Sequence, residues 1–145
     1  MRIATFIVVV LVGASPAKAV ATPGFCDDLR RMTRSVRDTQ PFASVTRILP
    51  RPELALFRNC YANQVGFISS VSCAWRLRPA PAIEDLASEA MRCLPGARRR
   101  DDSAATIRGQ ARLSFEMLAI TIGRDDSIPA MPGEGARITV EIPEG

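Results

Sequence analysis

The sequence contains no histidine, and its one lysine is Lys18, close to the amino terminus. Histidine is the commonest general base at neutral pH and the commonest metal ligand, so its lack excludes the usual catalytic triads and most zinc sites. The lack of any other lysine excludes Schiff-base chemistry from the remaining chain. No G-x-S-x-G, Walker or G-x-G-x-x-G motif occurs either. Carboxylates are therefore the main groups left for catalysis, and we expect no cofactor and no metal.

Aromatic residues are scarce, since Trp and Tyr each occur once. Surfaces that bind single-stranded nucleic acid depend on aromatic side chains for base stacking. The formal net charge of +4 includes Arg2 and Lys18, and without these two positive charges it is +2. A charge this small does not indicate a nucleic-acid partner. We therefore expect no nucleic-acid binding.

An export signal occupies the first residues. Arg2 precedes an apolar run from Ile3 to Val12, and residues 17–19 form an A-x-A cleavage site. The run is about ten residues long, whereas a membrane-spanning helix needs about 20. This pattern predicts a signal peptide over residues 1–19 and a single exported domain over residues 20–145. We expect a secreted or periplasmic protein with no transmembrane segment after signal cleavage.

Four cysteines, at positions 26, 60, 73 and 93, favour two disulfides in an exported chain. They contain no C-x-x-C pair, and no histidine is present to complete a zinc site. Four cysteines allow three connectivities. Cys60 and Cys73 are equidistant from the bond between residues 66 and 67, so a hairpin turning there would place them opposite each other. Cys26 would then pair with Cys93, and the spacing favours this pairing without excluding the other two.

The stretch from Leu54 to Gly96 carries the clearest secondary-structure pattern. It predicts a strand over Leu54–Tyr61, a turn near residue 66, a strand over Val71–Arg78 and a helix over Ala82–Leu94. Trp75 lies on the apolar side of the second strand, where we expect it to be a core residue rather than a ligand-stacking one.

The rest of the chain adds further elements. The pattern predicts the following: a helix from Thr22-Pro23 to about Thr39, a short strand over Ser44–Leu49, a loop over residues 97–106 that contains three arginines, one strand over Arg112–Ile122 and a last strand over Ala136–Ile142. The order α-β-β-α-β-β predicts a small α+β domain, with an antiparallel sheet of about four strands, two helices packed on it and disulfides stabilising it.

Two segments are candidate partner surfaces. The first is the arginine set of the first helix, Arg30, Arg31, Arg34 and Arg37, for which a solvated polar face is the alternative. The second is the acidic loop Gly123–Gly135. Residues 123–127 of that loop would also offer oxygen ligands to calcium, although an ordinary turn is favoured.

Three functions remain compatible with the sequence. The leading hypothesis is a non-catalytic module that binds another envelope macromolecule, as an inhibitor, immunity-type protein or assembly accessory does. The alternative is a small carboxylate-dependent hydrolase of cell-wall or sugar polymer, with Glu116 and either Asp125 or Asp126 across a cleft. The further alternative is a carrier of a small apolar ligand, held between the helices and the sheet.

Overall fold

The computed structural model describes residues 24–46, 58–65, 68–76, 82–124 and 135–143. The predicted signal peptide lies outside these ranges. The described elements, in chain order, are α1 (Phe25–Arg34), a 3-10 helix (Ser35–Arg37), α2 (Ala43–Thr46), β1 (Arg58–Val65), β2 (Ile68–Arg76), α3 (Ile83–Cys93), β3 (Arg98–Arg100), α4 (Ser103–Ile107), β4 (Ala111–Phe115), β5 (Leu118–Arg124) and β6 (Gly135–Glu141). None of these helices combines the length and the apolar character needed to span a bilayer.

The six described strands form one sheet in the order β1-β2-β6-β5-β4-β3. Every neighbouring pair in it is antiparallel. The α+β class is therefore confirmed. The counts differ from the expectation, because the described residues contain six strands and four α-helices where about four strands and two helices were predicted.

The strand predicted over Arg112–Ile122 is in fact a hairpin. Strand β4 ends at Phe115 and β5 begins at Leu118, and Glu116 between them has a left-handed backbone with φ 53°. Because the turn has two residues, the core-facing positions are odd-numbered in β4 and even-numbered in β5. Leu113 therefore pairs with Ile120, and both side chains are buried.

Two other segments differ from the prediction because carboxylates organise them. Residues 97–106, predicted as a loop, contain β3 and the start of α4, where Asp102 Oδ1 accepts a hydrogen bond from the Ala105 backbone N–H at 3.0 Å. Residues 44–49, predicted as a strand, begin within helix α2. There Asp38 Oδ2 accepts hydrogen bonds from both the backbone N–H and the hydroxyl of Ser44, at 2.8 and 2.6 Å. Such local bonds favour a turn or a helix start over a strand.

The helices and the terminal strands match more closely. The helix predicted over Ala82–Leu94 is confirmed as α3, and β6 matches the last predicted strand within one residue at each end. Helix α1 begins at Phe25, and it passes into the 3-10 turn at residue 35. Thr22 and Pro23, where the predicted helix begins, lie outside the described ranges. The side chains of Thr33 and Ser35 donate to the carbonyls of Arg30 and Met32 at this end, which tightens the final turn.

The paired strands β1 and β2 lie slightly later and earlier, respectively, than predicted. They cover residues 58–65 and 68–76, while residues 54–57, 66–67 and 77–78 lie outside the described ranges. The side chain of Trp75 is also outside the described set, so its predicted core role stays a prediction.

The core lies between the sheet and the two longer helices, since α1 packs on α3 and α3 packs on β4 and β5. Leu29 and Met32 from α1 and Ile120 and Ile138 from the sheet are fully buried. Leu29 and Met32 are three positions apart, which places them on one face of the helix. Ile138 and Val140, also fully buried, are two apart along β6, which places them on one face of the strand. Each such side chain contributes about 1.5–3 kcal/mol through burial.

The opposite face of the sheet carries small polar residues in a hydrogen-bonded network. The Ser72 and Thr139 hydroxyls lie 2.9 Å apart. The Arg137 guanidinium donates to Ser72 Oγ at 3.2 Å and to Tyr61 Oη at 3.1 Å, and it also lies 5.3 Å from the centre of the Tyr61 ring. Ser72 is only 3% exposed, so this face is not the open polar surface that strand alternation predicts.

Candidate binding groove

Two disulfides hold the elements together. Cys26–Cys93 joins the start of α1 to the end of α3, and Cys60–Cys73 joins β1 to β2. This is the pairing that the spacing favours. Cys26, Cys93 and Glu89 place their ligand atoms within 4.8 Å of one another, but both sulfurs belong to the bridge and neither is a thiolate that binds metal. The Glu89 carboxylate pairs with Arg92 instead.

An open groove lies beside the Cys26–Cys93 bridge, between α1 with its 3-10 extension, the end of α3 and the β4–β5 turn. Its volume is about 260 Å³, and its lining is Arg30, Thr33, Arg34, Arg37, Cys93, Leu94, Pro95, Phe115 and Glu116. We call it the arginine groove, after the three arginines that form one wall.

The helix explains which arginines share this wall. Arg30, Arg34 and Arg37 are spaced at i, i+4 and i+7, which places them on one helical face. Arg31 lies about 100° round the helix axis from Arg30, and therefore away from this face. It lines a second hollow of about 230 Å³ together with Arg34, Ser35, Asp38 and Ser44. The structure therefore brings together three of the four arginines of the predicted partner surface, and Arg31 adjoins them.

Backbone acceptors position two of these side chains. Arg30 Nε donates to the Cys93 carbonyl oxygen at 3.0 Å, which satisfies an acceptor that the end of a helix leaves free. Arg34 Nε donates to the Arg30 carbonyl oxygen at 3.2 Å. Both bonds use only Nε, and within the described residues no carboxylate lies at ion-pair distance from Arg34. The wall therefore offers guanidinium N–H groups to a ligand.

An ion pair between Arg37 and Glu116 lies at the far side of the groove. Arg37 Nη2 lies 3.4 Å from Glu116 Oε2, and the two side chains are 75% and 56% exposed. Glu116 is thus a solvent-facing residue of the groove rim rather than a carboxyl in an apolar pocket. It is the only carboxylate among the described residues that line the groove, and Asp125 and Asp126 lie outside the described ranges.

The other wall and the base of the groove are mainly apolar. Leu94 is 3% exposed, and Pro95 and Phe115 lie beside it in the lining. Met117, next to Glu116 at the tip of the hairpin, is 81% exposed. The arrangement is suited to holding an anionic group beside an apolar one, because cationic and apolar surfaces adjoin.

Sequence reasoning found the arginines of the groove and missed its apolar side. Leu94 and Pro95 come from the end of α3, and Phe115 comes from β4, so no local spacing connects them with α1. The second predicted surface, Gly123–Gly135, has only residues 123, 124 and 135 within the described ranges. The calcium hypothesis for residues 123–127 also falls mostly outside them.

Comparison of the chain with known protein families found no match. Comparisons with curated proteins and with solved structures found no match either. The function is therefore inferred from the groove itself.

Proposed function

We propose that the protein is a non-catalytic, exported module that binds another envelope macromolecule through the arginine groove. An inhibitor, an immunity-type protein and an assembly accessory all act by such binding. The observation that carries the proposal is the convergence of Arg30, Arg34 and Arg37 on an apolar base beside a disulfide.

The residue types around the groove are those of protein interfaces. Arginine, methionine and aromatic residues are enriched at interfaces, whereas lysine and glutamate are depleted. The groove has three arginines and Phe115, and Met117 projects into solvent at its rim. A guanidinium binds a carboxylate through two parallel hydrogen bonds, so charge complementarity favours an acidic partner surface.

Export is supported by the covalent structure. Both disulfides are formed, and together they use all four cysteines of the sequence. Disulfides persist in oxidising compartments such as the periplasm and the extracellular space. The predicted signal peptide over residues 1–19 agrees with this location.

A carboxylate-dependent hydrolase is less well supported. Glycoside hydrolysis generally requires two carboxyl groups across a cleft, and among the described residues Glu116 is the only one that lines the arginine groove. We therefore retain the hydrolase only as an alternative. Loss of a polymer-degrading activity on the substitution Glu116→Gln would favour it over the binding function.

The binding function is tested by capture from envelope extract on the immobilised, oxidised protein. The decisive variant is Arg34→Glu/Arg37→Glu, which reverses two charges in the groove. Its matched control is Arg98→Glu/Arg100→Glu, which makes the same charge change at two exposed positions on β3, outside the groove.

We expect one macromolecule to be retained by the wild type and by the control but lost from the groove variant. We also expect increasing salt to release it, because exposed charges are screened. Equal retention by all three proteins, or retention by none of them at physiological salt, would contradict the proposed function.

A further inference from the structure

The Arg37–Glu116 ion pair is an exposed contact at the rim of the arginine groove. It joins the 3-10 helix to the β4–β5 hairpin, across 79 positions of sequence. Its N–O distance is 3.4 Å, and more than half of each side chain is exposed. An exposed pair of this kind contributes little to stability, so a competing carboxylate can replace Glu116 at little cost.

The backbone of Glu116 has a conformation that is uncommon for a non-glycine residue. Its φ of 53° lies in the left-handed region, where glycine is relaxed and a non-glycine residue is uncommon. Unfavourable backbone conformations of this kind cluster at functional sites. Here the conformation places a carboxylate at the rim of the groove, beside Arg37.

The surface of the groove indicates the class of ligand. A free phosphate would use only the guanidinium groups, and a hydrocarbon would use only the apolar side of the groove, mainly Pro95 and Phe115. A segment with a carboxylate next to an apolar side chain uses both. The volume of about 260 Å³ is below the roughly 300–1,000 Å³ of typical small-molecule sites, which favours part of a protein segment over a cofactor.

A lipid surface fits the site less well than a protein segment does. Helices that bind anionic membranes present a broad basic face with several large apolar residues opposite it. Here the exposed face of α1 also carries Asp27, whose carboxylate lies 3.7 Å from Arg30 Nη1, and Leu94, one of the apolar residues of the groove, is only 3% exposed.

We therefore infer that the arginine groove binds a short protein segment carrying a carboxylate next to an apolar side chain, and that Glu116 holds Arg37 until this carboxylate displaces it. The inference rests on the proposed binding function and adds the ligand class and a built-in competitor. Glu116 then limits affinity, because each binding event must first break the Arg37–Glu116 pair.

The test uses a labelled 12-residue peptide with leucine–glutamate pairs in a glycine–serine background. One control peptide replaces the glutamates by glutamine, and another replaces the leucines by serine. The protein variants are Glu116→Gln and its matched control Glu84→Gln. Glu84 is 73% exposed, pairs with Arg99 and lies outside the groove, so both variants make the same charge change.

We expect Glu116→Gln to tighten binding of the leucine–glutamate peptide by about twofold to fivefold, the range that corresponds to an exposed ion pair. We expect Glu84→Gln to leave the affinity unchanged. In an Arg37→Gln background the effect of Glu116→Gln disappears, because the competing pair is already lost. The glutamine and serine peptides bind more weakly than the leucine–glutamate peptide to every protein with an intact groove.

Several outcomes overturn the inference, each in a distinct way. Suppose that peptide binding is lost in Arg34→Glu/Arg37→Glu but unchanged in Glu116→Gln. This result would contradict the role of Glu116 as a competitor and leave the proposed function intact. Equal binding of the glutamine peptide removes the carboxylate requirement. Preferential binding of inorganic phosphate, or of vesicles containing phosphatidylglycerol, replaces the protein segment by another ligand. Failure of every peptide overturns the ligand class, whereas the capture experiment separately decides the proposed function.

Discussion

Removal of the Cys26–Cys93 bridge tests how the fold and the groove depend on each other. The two cysteines are 67 positions apart, whereas Cys60 and Cys73 are 13 apart. In the chain-entropy description, the longer closed loop contributes about 4 kcal/mol to the free energy of unfolding and the shorter one about 3 kcal/mol. We therefore expect Cys26→Ala/Cys93→Ala to destabilise the protein by about 1.5 kcal/mol more than Cys60→Ala/Cys73→Ala does.

The two variants should also differ at the groove. Cys93 supplies the carbonyl oxygen that holds Arg30 Nε at 3.0 Å, and its bridge fixes α1 against the end of α3. The Cys60–Cys73 bridge lies in β1 and β2, three strands away from β4 in the sheet order. Loss of the first bridge should weaken binding of the leucine–glutamate peptide, whereas loss of the second should not.

Urea titration followed by far-ultraviolet circular dichroism gives the free energy of unfolding for each variant, and the slope checks that unfolding stays two-state. Peptide affinity is measured below the start of the unfolding transition, so that both variants are folded. A reversed order of stability would refute the loop-entropy reasoning. An unchanged peptide affinity in Cys26→Ala/Cys93→Ala would refute the role of this bridge in assembling the groove.

Three further predictions concern the fold. Gly96→Ala should lower the free energy of unfolding, measured by urea titration, by about 1 kcal/mol. The cause is the backbone, because Gly96 has φ +95°, whereas no atom lies within 4 Å of the position that the new Cβ would take. Ile138→Ala should lower the free energy of unfolding by about 2–5 kcal/mol, because Ile138 is 0% exposed. Its control Ile107→Ala, at an 86% exposed position, should change the free energy of unfolding by less than about 0.5 kcal/mol. Hydrogen bonding by Arg112 lowers the pKa of the Asp102 carboxyl in the folded protein below its ordinary value of 3.8. The stability that this carboxylate contributes is therefore present above pH 3.8, and it is lost as the pH falls through the lower pKa of the folded state. The difference in stability between the wild type and Asp102→Asn should therefore narrow in acid, and a difference that widens there would contradict this assignment.

Some features were predictable because a local pattern determines them. Tyr61 pairs with Ser72, and the adjacent Cys60 and Cys73 are joined by a disulfide, as the symmetry of the cysteines about residues 66 and 67 suggested. Helix α3 follows an apolar stripe that ends before Pro95-Gly96, where the pattern and the structure agree. Neither feature requires knowledge of distant parts of the chain.

The hairpin at residues 116 and 117 was missed because its turn lacks the usual residues. Two-residue hairpin loops favour glycine, asparagine or aspartate, and here the turn residues are Glu116 and Met117. The one local signal was the change of phase at Met117–Leu118, where two apolar residues are adjacent and the alternation resumes on the other parity. A continuous strand covered on both faces explains the same letters, so the sequence did not separate the two interpretations.

The groove was only partly predictable for a topological reason. Helical spacing alone groups Arg30, Arg34 and Arg37 on one face. The contacts that complete the site join residues 63 and 79 positions apart, Arg30 with Cys93 and Arg37 with Glu116. Such contacts depend on how the helices pack on the sheet and have no local signature.

Mapping of backbone amide shifts by NMR, during titration of the oxidised protein with the leucine–glutamate peptide, tests the binding groove most directly. We predict that the shifts concentrate at residues 30–37, 93–94, 96–97 and 115–117. Shifts that concentrate instead around Tyr61 and Arg137 on the opposite face of the sheet would contradict binding at the groove. No shifts at all would contradict the ligand class inferred for it.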